Sequence, residues 1–147
     1  MAEGQFAGGS YLHVQRFVHN MAQWQRLSVR EQEDTIGRTR QDNIEYASAD
    51  KPLTSHIKRV NLKDDAGNSK EILRQSMPWG TLEQQGLYFI SCCHTPEHFI
   101  DMLRSMVDGD ASGHYDHLLR YTRALTGAAF FAPSQTFLQQ GGVMLTR

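Results

Sequence analysis

Apolar and polar residues alternate over Ser10–Val18. Leu12, Val14 and Val18 share one parity with Arg16, and Tyr11, His13, Gln15 and Phe17 share the other. A run rich in β-branched and aromatic residues with this period predicts a strand. GLYFISCC, Gly86–Cys93, is the strongest strand pattern in the chain. A helical period follows, in which Phe99, Ile100, Leu103 and Met106 fall on one face. Thr95-Pro96-Glu97 starts that helix with a capping threonine, a proline at the first helical position and an acid near the positive dipole end. Ser28-Val29-Arg30-Glu31 has capping-box spacing, so a helix is expected over Val29–Ile36, stopped by Gly37. Between Val18 and Ser28, Asn20 can cap a short turn carrying Met21 and Trp24.

Less periodic stretches connect these elements. Thr39–Pro52 is polar and aperiodic. Lys63–Asn68 reads as a hairpin turn between strands Ile57–Leu62 and Glu71–Gln75. A shorter helix is expected through Tyr115–Tyr121, an extended segment over Thr126–Ala132, and a last short helix capped by Ser134 and running through Leu138. The order of strands and helices predicts an α+β fold, a ferredoxin-like antiparallel sheet with helices on one face. Residues 1–9 read as a connecting segment, 10–139 as the folded unit and 140–147 as a tail.

The chain has 147 residues, a size that suits one domain. A net charge of -1 gives no basic footprint for nucleic acid, and no apolar run approaches the ~18 residues expected of a membrane span. The only cysteines, Cys92 and Cys93, are adjacent and not expected to pair, which with the lack of a signal pattern points to a reducing, cytoplasmic setting. Nucleophile-elbow, Walker and dinucleotide glycine patterns are absent.

Among the seven histidines, His19 stands where a strand ends, so a rigid base could project its imidazole toward a haem iron. A capping or surface role is the alternative. Arg38, just after Gly37, could face an anion, or could be a solvated cation at a helix end. Cys92-Cys93-His94 suggests metal chemistry, but strand neighbours point to opposite faces, so the three are not expected to chelate one ion together.

GGSYLHVQRFVHN, the tryptophan five residues after His19, LSVREQE, IGR, SHIKRVNL, ILRQSMPWG, GLYFISCC and TGAAFFAPS occur in this order. Together they resemble the C-terminal half of the dye-decolourising peroxidases, over about Gly8–Leu138. The resemblance implies a haem b cofactor, hydrogen peroxide and small aromatic reductants as reactants, and a homo-oligomer or a complementary N-terminal half as partner. It matches His19 to the axial ligand and metal-binding residue, and Arg38 to the distal arginine. Leu87 and Phe89 match the apolar lining of the distal pocket, and Arg74 a contact to a haem propionate. The carboxylate partner of His19 stays open between Glu33 and Asp101. The family's GxxDG motif, which carries a distal aspartate, does not occur in this chain. The other expectation is therefore a non-catalytic fragment that acts as an oligomerising or interaction domain and binds haem weakly or not at all. Either way at least a dimer is expected, with Phe or Leu side chains of GLYFISCC or TGAAFFAPS near the contact.

Overall fold

The computed structural model describes residues 6–141. Strand β1 (Ser10–His19) leads through a one-turn helix α1 (Met21–Trp24) to α2 (Val29–Ile36) and α3 (His56–Val60). Strands β2 (Leu73–Gly80) and β3 (Gln85–Cys93) precede α4 (Glu97–Val107), a 3-10 turn over His117–Arg120, β4 (Thr122–Ala132) and α5 (Gln135–Gly141). The four strands form one antiparallel sheet in the order β2-β3-β1-β4. This is the ferredoxin-like α+β arrangement that the element order predicts, with β1 and β3 as central neighbours.

Strand parity decides what each side chain meets. In β1, the odd residues His13, Gln15 and Phe17 pair with Ser91, Phe89 and Leu87 of β3, which in turn pair with Arg74, Ser76 and Pro78 of β2. This face lies under the helices: the His13 imidazole stacks on Phe99 of α4 with 3.8 Å between ring centroids. The even residues form the outer face, where Leu73 and Phe130 are 75% and 57% exposed. Among the described residues, the buried apolar side chains are only Val60 and Met102, one from each of the packed helices α3 and α4. The core is therefore thin, and it lies between the helices and the odd face of the sheet.

The capped helix follows its sequence closely. Ser28 Oγ accepts from the Glu31 amide, and the Ser28 amide donates to Glu31 Oε2 at 2.8 Å. Gly37 ends α2 at φ 92°, a left-handed conformation that favours glycine.

Several elements differ from expectation. Ile57–Leu62 is not a strand: Ser55 caps α3, and its Oγ accepts from the Lys58 amide. Arg59 and Val60 are consecutive and both buried, which suits a helical turn and not a pleated strand. The turn at Asp64–Asn68 does form, with an isolated Lys63–Ser69 bridge, but it joins a helix to β2. The hairpin is instead β2-β3, closed around Thr81–Gln84. At the start of α4, Thr95 accepts from the Glu97 amide, Pro96 holds the cap position, and Ile100 faces outward at 41% exposure. The helix expected over Tyr115–Tyr121 shortens to the 3-10 turn. Phe6, in the expected connecting segment, packs its ring on Phe131 and Phe137. Residues 1–5 of that segment and residues 142–147 of the tail lie outside the described residues.

One close approach ties three strands together. Trp79 of β2 reaches over Gly86 of β3 and donates from Nε1 to the Phe17 carbonyl of β1 at 2.9 Å. Arg16 stacks its guanidinium 3.8 Å above the same indole. A Cβ on Gly86 would sit 1.9 Å from the Phe17 carbonyl oxygen and 2.7 Å from the Trp79 indole nitrogen.

Gly86→Ala is expected to destabilise the chain by about 1–3 kcal/mol, the usual cost of overpacking, read from urea unfolding midpoints. A midpoint equal to that of the parent would contradict the close approach. His13 offers a second test. Its Nε2 is buried without a partner, and burial lowers its pKa below the ordinary 6.5. The unfolded chain then takes up a proton that the folded chain resists, so stability is complete above about pH 6.5 and falls as pH drops through that value. His13→Phe should flatten the loss between pH 7.5 and pH 5.5 in the same unfolding experiment.

Candidate functional site

A cavity of about 390 Å³ lies between the odd face of the sheet and the helices. β1 contributes Gln15, Phe17 and His19 to it, β2 contributes Arg74 and Ser76, and β3 contributes Leu87 and Phe89. The helical layer contributes His56, Ile57 and Val60 from α3, and Met102, Leu103 and Met106 from α4. Arg38 reaches the cavity edge beside Ile36, where a more open depression of about 610 Å³ begins, bordered by Trp24, Arg40 and Asn43. All five residues singled out in the sequence, His19, Arg38, Arg74, Leu87 and Phe89, line this one cavity.

Their arrangement separates them. His19 extends the odd series of β1, and that series pairs with Leu87 and Phe89. The three therefore share the sheet wall. A ligand held by His19 would therefore meet Leu87 and Phe89 on the same side of the cavity. His19 Nδ1 lies 2.9 Å from Thr122 Oγ1, whose hydroxyl donates to the Val18 carbonyl at 3.3 Å. Thr122 thus accepts the Nδ1 proton, and Nε2 carries the lone pair. Burial lowers the His19 pKa, which favours the neutral ring. Neither carboxylate considered for His19 reaches it. Glu33 accepts from the Arg40 amide and from Tyr46 Oη, and Asp101 pairs with Lys70 at 2.6 Å.

The helical wall holds a second imidazole. His56 is the first residue of α3, and its Nδ1 lies 2.7 Å from Asp116 Oδ2. Asp116 is completely buried, and its other oxygen accepts the Leu118 amide at 2.9 Å. The carboxylate accepts the Nδ1 proton and leaves Nε2 of His56 as an open donor atom. A carboxylate that orients an imidazole in this way is the usual support of a metal-bound histidine. No local signal singles out His56: the strand expected over Ile57–Leu62 begins one residue later, and His56 instead opens α3. Asp116 lies 60 residues further on, so no local spacing announces the pair.

The two arginines also differ. Arg38 is engaged: Nε and Nη2 donate to the Asn43 carbonyl at 3.1 and 2.7 Å, and Nη1 lies 3.6 Å from Glu45. Arg74 has no ion pair or side-chain hydrogen bond among the described residues. It stands on the sheet wall, across the cavity from the helical layer that carries His56. An imidazole with a buried carboxyl group behind it, a free guanidinium on the facing wall and an apolar lining fit a flat, anionic, metal-centred macrocycle.

The chain is similar to known proteins over nearly its whole length. The family model described as Dyp-type peroxidase, C-terminal, matches residues 1–137. The dye-decolorizing peroxidase of Mycobacterium tuberculosis is 44% identical over 135 residues, which cover 90% of this chain and 40% of that protein. The crystal structure of a dyp-type peroxidase protein from Shewanella oneidensis superposes with a TM-score of 0.90 at 64% identity, over 94% of this chain and 45% of that one. A DypB variant from Rhodococcus jostii in complex with heme superposes with a TM-score of 0.89 at 39% identity, again over 93% and 45%. The chain thus spans less than half the length of these relatives. Matched by the family model from its first residue to residue 137, the chain belongs to the Dyp-type peroxidase family, in its C-terminal part.

Proposed function

We propose that this chain forms the haem-binding part of a peroxidase, with His56 as the axial ligand and Arg74 as the distal cation. The observation that carries the reading is the cavity itself. Its helical wall presents an imidazole backed by a buried carboxylate, and its sheet wall presents a free guanidinium on the same face as Leu87 and Phe89. The heme-bound relative supplies the cofactor class, taken here as haem b. His19 and Arg38, matched to these roles by sequence resemblance alone, become a second histidine on the sheet wall and a cation at the cavity edge.

When bound, haem supplies the redox-active iron at which hydrogen peroxide is reduced and small aromatic donors are oxidised. The chain's own residues do the rest. Asp116 holds the Nδ1 proton of His56 and so fixes its tautomer and ring orientation. Arg74 offers several fixed donors and a permanent charge to oxygen that becomes anionic as the O–O bond breaks. Leu87 and Phe89 supply the apolar lining on that side. None of the described residues lining the cavity is an aspartate or glutamate. The acid that moves the peroxide proton is therefore assigned to a complementary segment, such as the part of the relatives that this chain does not span.

The outer sheet face favours an assembled state. Leu73, Met77, Tyr88 and Phe130 leave apolar surface exposed there, so a complementary half or a second copy of the chain is proposed to cover it. Among the described residues no helix is long and apolar enough to cross a membrane. A cytoplasmic location is proposed on the strength of the two free cysteines.

The ligand assignment is tested by hemin titration of the chain, read in the Soret region. His56→Ala should abolish the histidine-ligated ferric spectrum, whereas His19→Ala should keep it. The opposite pattern would return the axial role to His19, and loss in neither variant would remove both. Asp116→Asn should keep ligation but weaken it by about 10–100-fold, the range found for partners of metal-bound histidines.

With the complementary half supplied, Arg74→Leu should slow the reaction with hydrogen peroxide by about 10²–10³, the usual cost of one charge-stabilising donor. Arg38→Leu should change that rate by much less. Stopped-flow mixing with peroxide measures both, and an unchanged rate in Arg74→Leu would sink the distal assignment.

A further inference from the structure

Three potential metal-binding side chains converge away from the cavity, where β3 ends and α4 begins. Cys93 Sγ lies 3.8 Å from His94 Nδ1 and 3.5 Å from His98 Nδ1, and all three ligand atoms lie within 4.8 Å of one another. Cys92 is not one of the three: its parity turns it to the outer face, as the strand pattern requires. The third ligand comes from α4, whose first turn folds His98 back over the end of the strand.

We propose that Cys93, His94 and His98 form a binding site for Zn²⁺ or a divalent cation of similar softness. Zinc–sulfur bonds of about 2.3 Å and zinc–nitrogen bonds of about 2.0–2.1 Å, opened to the tetrahedral angle, set a sulfur and a nitrogen ligand about 3.6 Å apart. The two sulfur–nitrogen distances bracket that value without any ion to impose it. A thiolate with two imidazoles is a donor set that zinc accepts. The fourth position has a candidate as well. The Glu71 carbonyl oxygen lies 3.4 Å from Cys93 Sγ and 3.1 Å from His98 Nδ1. Carbonyl oxygen or water completes the tetrahedron. The neighbouring charges Lys70 and Asp101 neutralise each other at 2.6 Å and leave the trio free.

Binding is a proton exchange. Cys93 releases its thiol proton to water, and each imidazole presents its Nδ1 lone pair with the ring proton on Nε2. No oxidant or reductant takes part. An ion held there would staple the segment before β2, the end of β3 and the start of α4. The site lies outside the proposed haem cavity, so its test stands apart from the haem reading.

The test uses the chain stripped by a chelator and titrated with Zn²⁺ against a chromophoric competitor. Co²⁺ then serves as a spectroscopic substitute. One equivalent should bind, Co²⁺ should give a thiolate-to-metal charge-transfer band, and Zn²⁺ should raise the melting temperature. Cys93→Ser should remove the band and the thermal shift. His94→Ala and His98→Ala should each weaken binding at least about 10–100-fold, since loss of partners outside the ligand set already costs that much. Cys92→Ser should change nothing. Unchanged Zn²⁺ affinity in Cys93→Ser, or a Co²⁺ complex without the band, overturns the site. Should Cys93→Ser fail to fold, thiol alkylation of the parent chain decides. Zn²⁺ should protect Cys93 and spare the rate at Cys92, and equal Cys93 rates with and without Zn²⁺ overturn the proposal.

Discussion

The buried carboxyl of Asp116 is the point on which the cavity depends. A polar group fully removed from water is costly unless its hydrogen bonds are met. Here they are met from several directions. Oδ2 faces His56 at 2.7 Å, and Oδ1 accepts the Leu118 amide at 2.9 Å. The Asp116 amide donates to the Met106 carbonyl near the end of α4, and the next amide, His117, donates to Thr54 just before α3. One residue therefore joins α3, α4 and the turn that leads into β4. Its partners cannot move independently, and this fixes the His56 ring on the helical wall. A site built this way has its orientation set before any ligand arrives, the condition for a well-defined metal–imidazole geometry.

The facing wall depends on a different constraint, the two-residue period of the sheet. Because β1 and β3 are paired in register, Phe17 and Gln15 meet Leu87 and Phe89, and β2 sets Arg74 and Ser76 beside them. A slip of one residue would carry Arg74 to the outer face and bring Leu73 inward. Trp79 opposes such a slip: its indole reaches Phe17 across β3 only where Gly86 leaves room. A glycine that does not itself line the cavity, beside Leu87, thus helps to position the guanidinium on the sheet wall.

Much of the scaffold was legible because its signals are local. Alternation marks β1 and β3, the Ser28–Glu31 box marks α2, and Gly37 marks its end. What failed was non-local. His56–Val60 is one helical turn, too short for a period to emerge, and its adjacent buried residues acquire meaning only once α4 packs against it. His19 looked suitable because a strand end can project an imidazole. The objection to it, that Leu87 and Phe89 share its wall, is a matter of pairing between distant strands. Asp116 is marked locally only as a cap of the turn at His117–Arg120, and nothing in the sequence links it to His56. In the same way the rejection of Cys92-Cys93-His94 was sound for strand neighbours, yet His98 enters from the following helix and replaces Cys92.

The thin core and the cavity have one origin. A two-layer α+β unit ordinarily fills the space between sheet and helices with apolar side chains. Here the sheet wall gives such positions to Gln15, Arg74 and Ser76, and the helical wall gives one to His56. Only Val60 and Met102 among the described apolar side chains are buried as a result. A sequence selected for stability alone would place leucine or valine at those positions. The departure from that rule is densest at residues facing one cavity, with His13, Ser91 and Arg59 as further polar groups held inside the same layers, whereas the helix caps and strand pairings around it obey the local rules closely. Localised conflict within an otherwise consistent sequence is the pattern expected where stability has been exchanged for a binding site. It also explains why the chain leaves its outer sheet face apolar: the stability missing from the interior is available at that face, once a complementary surface covers it.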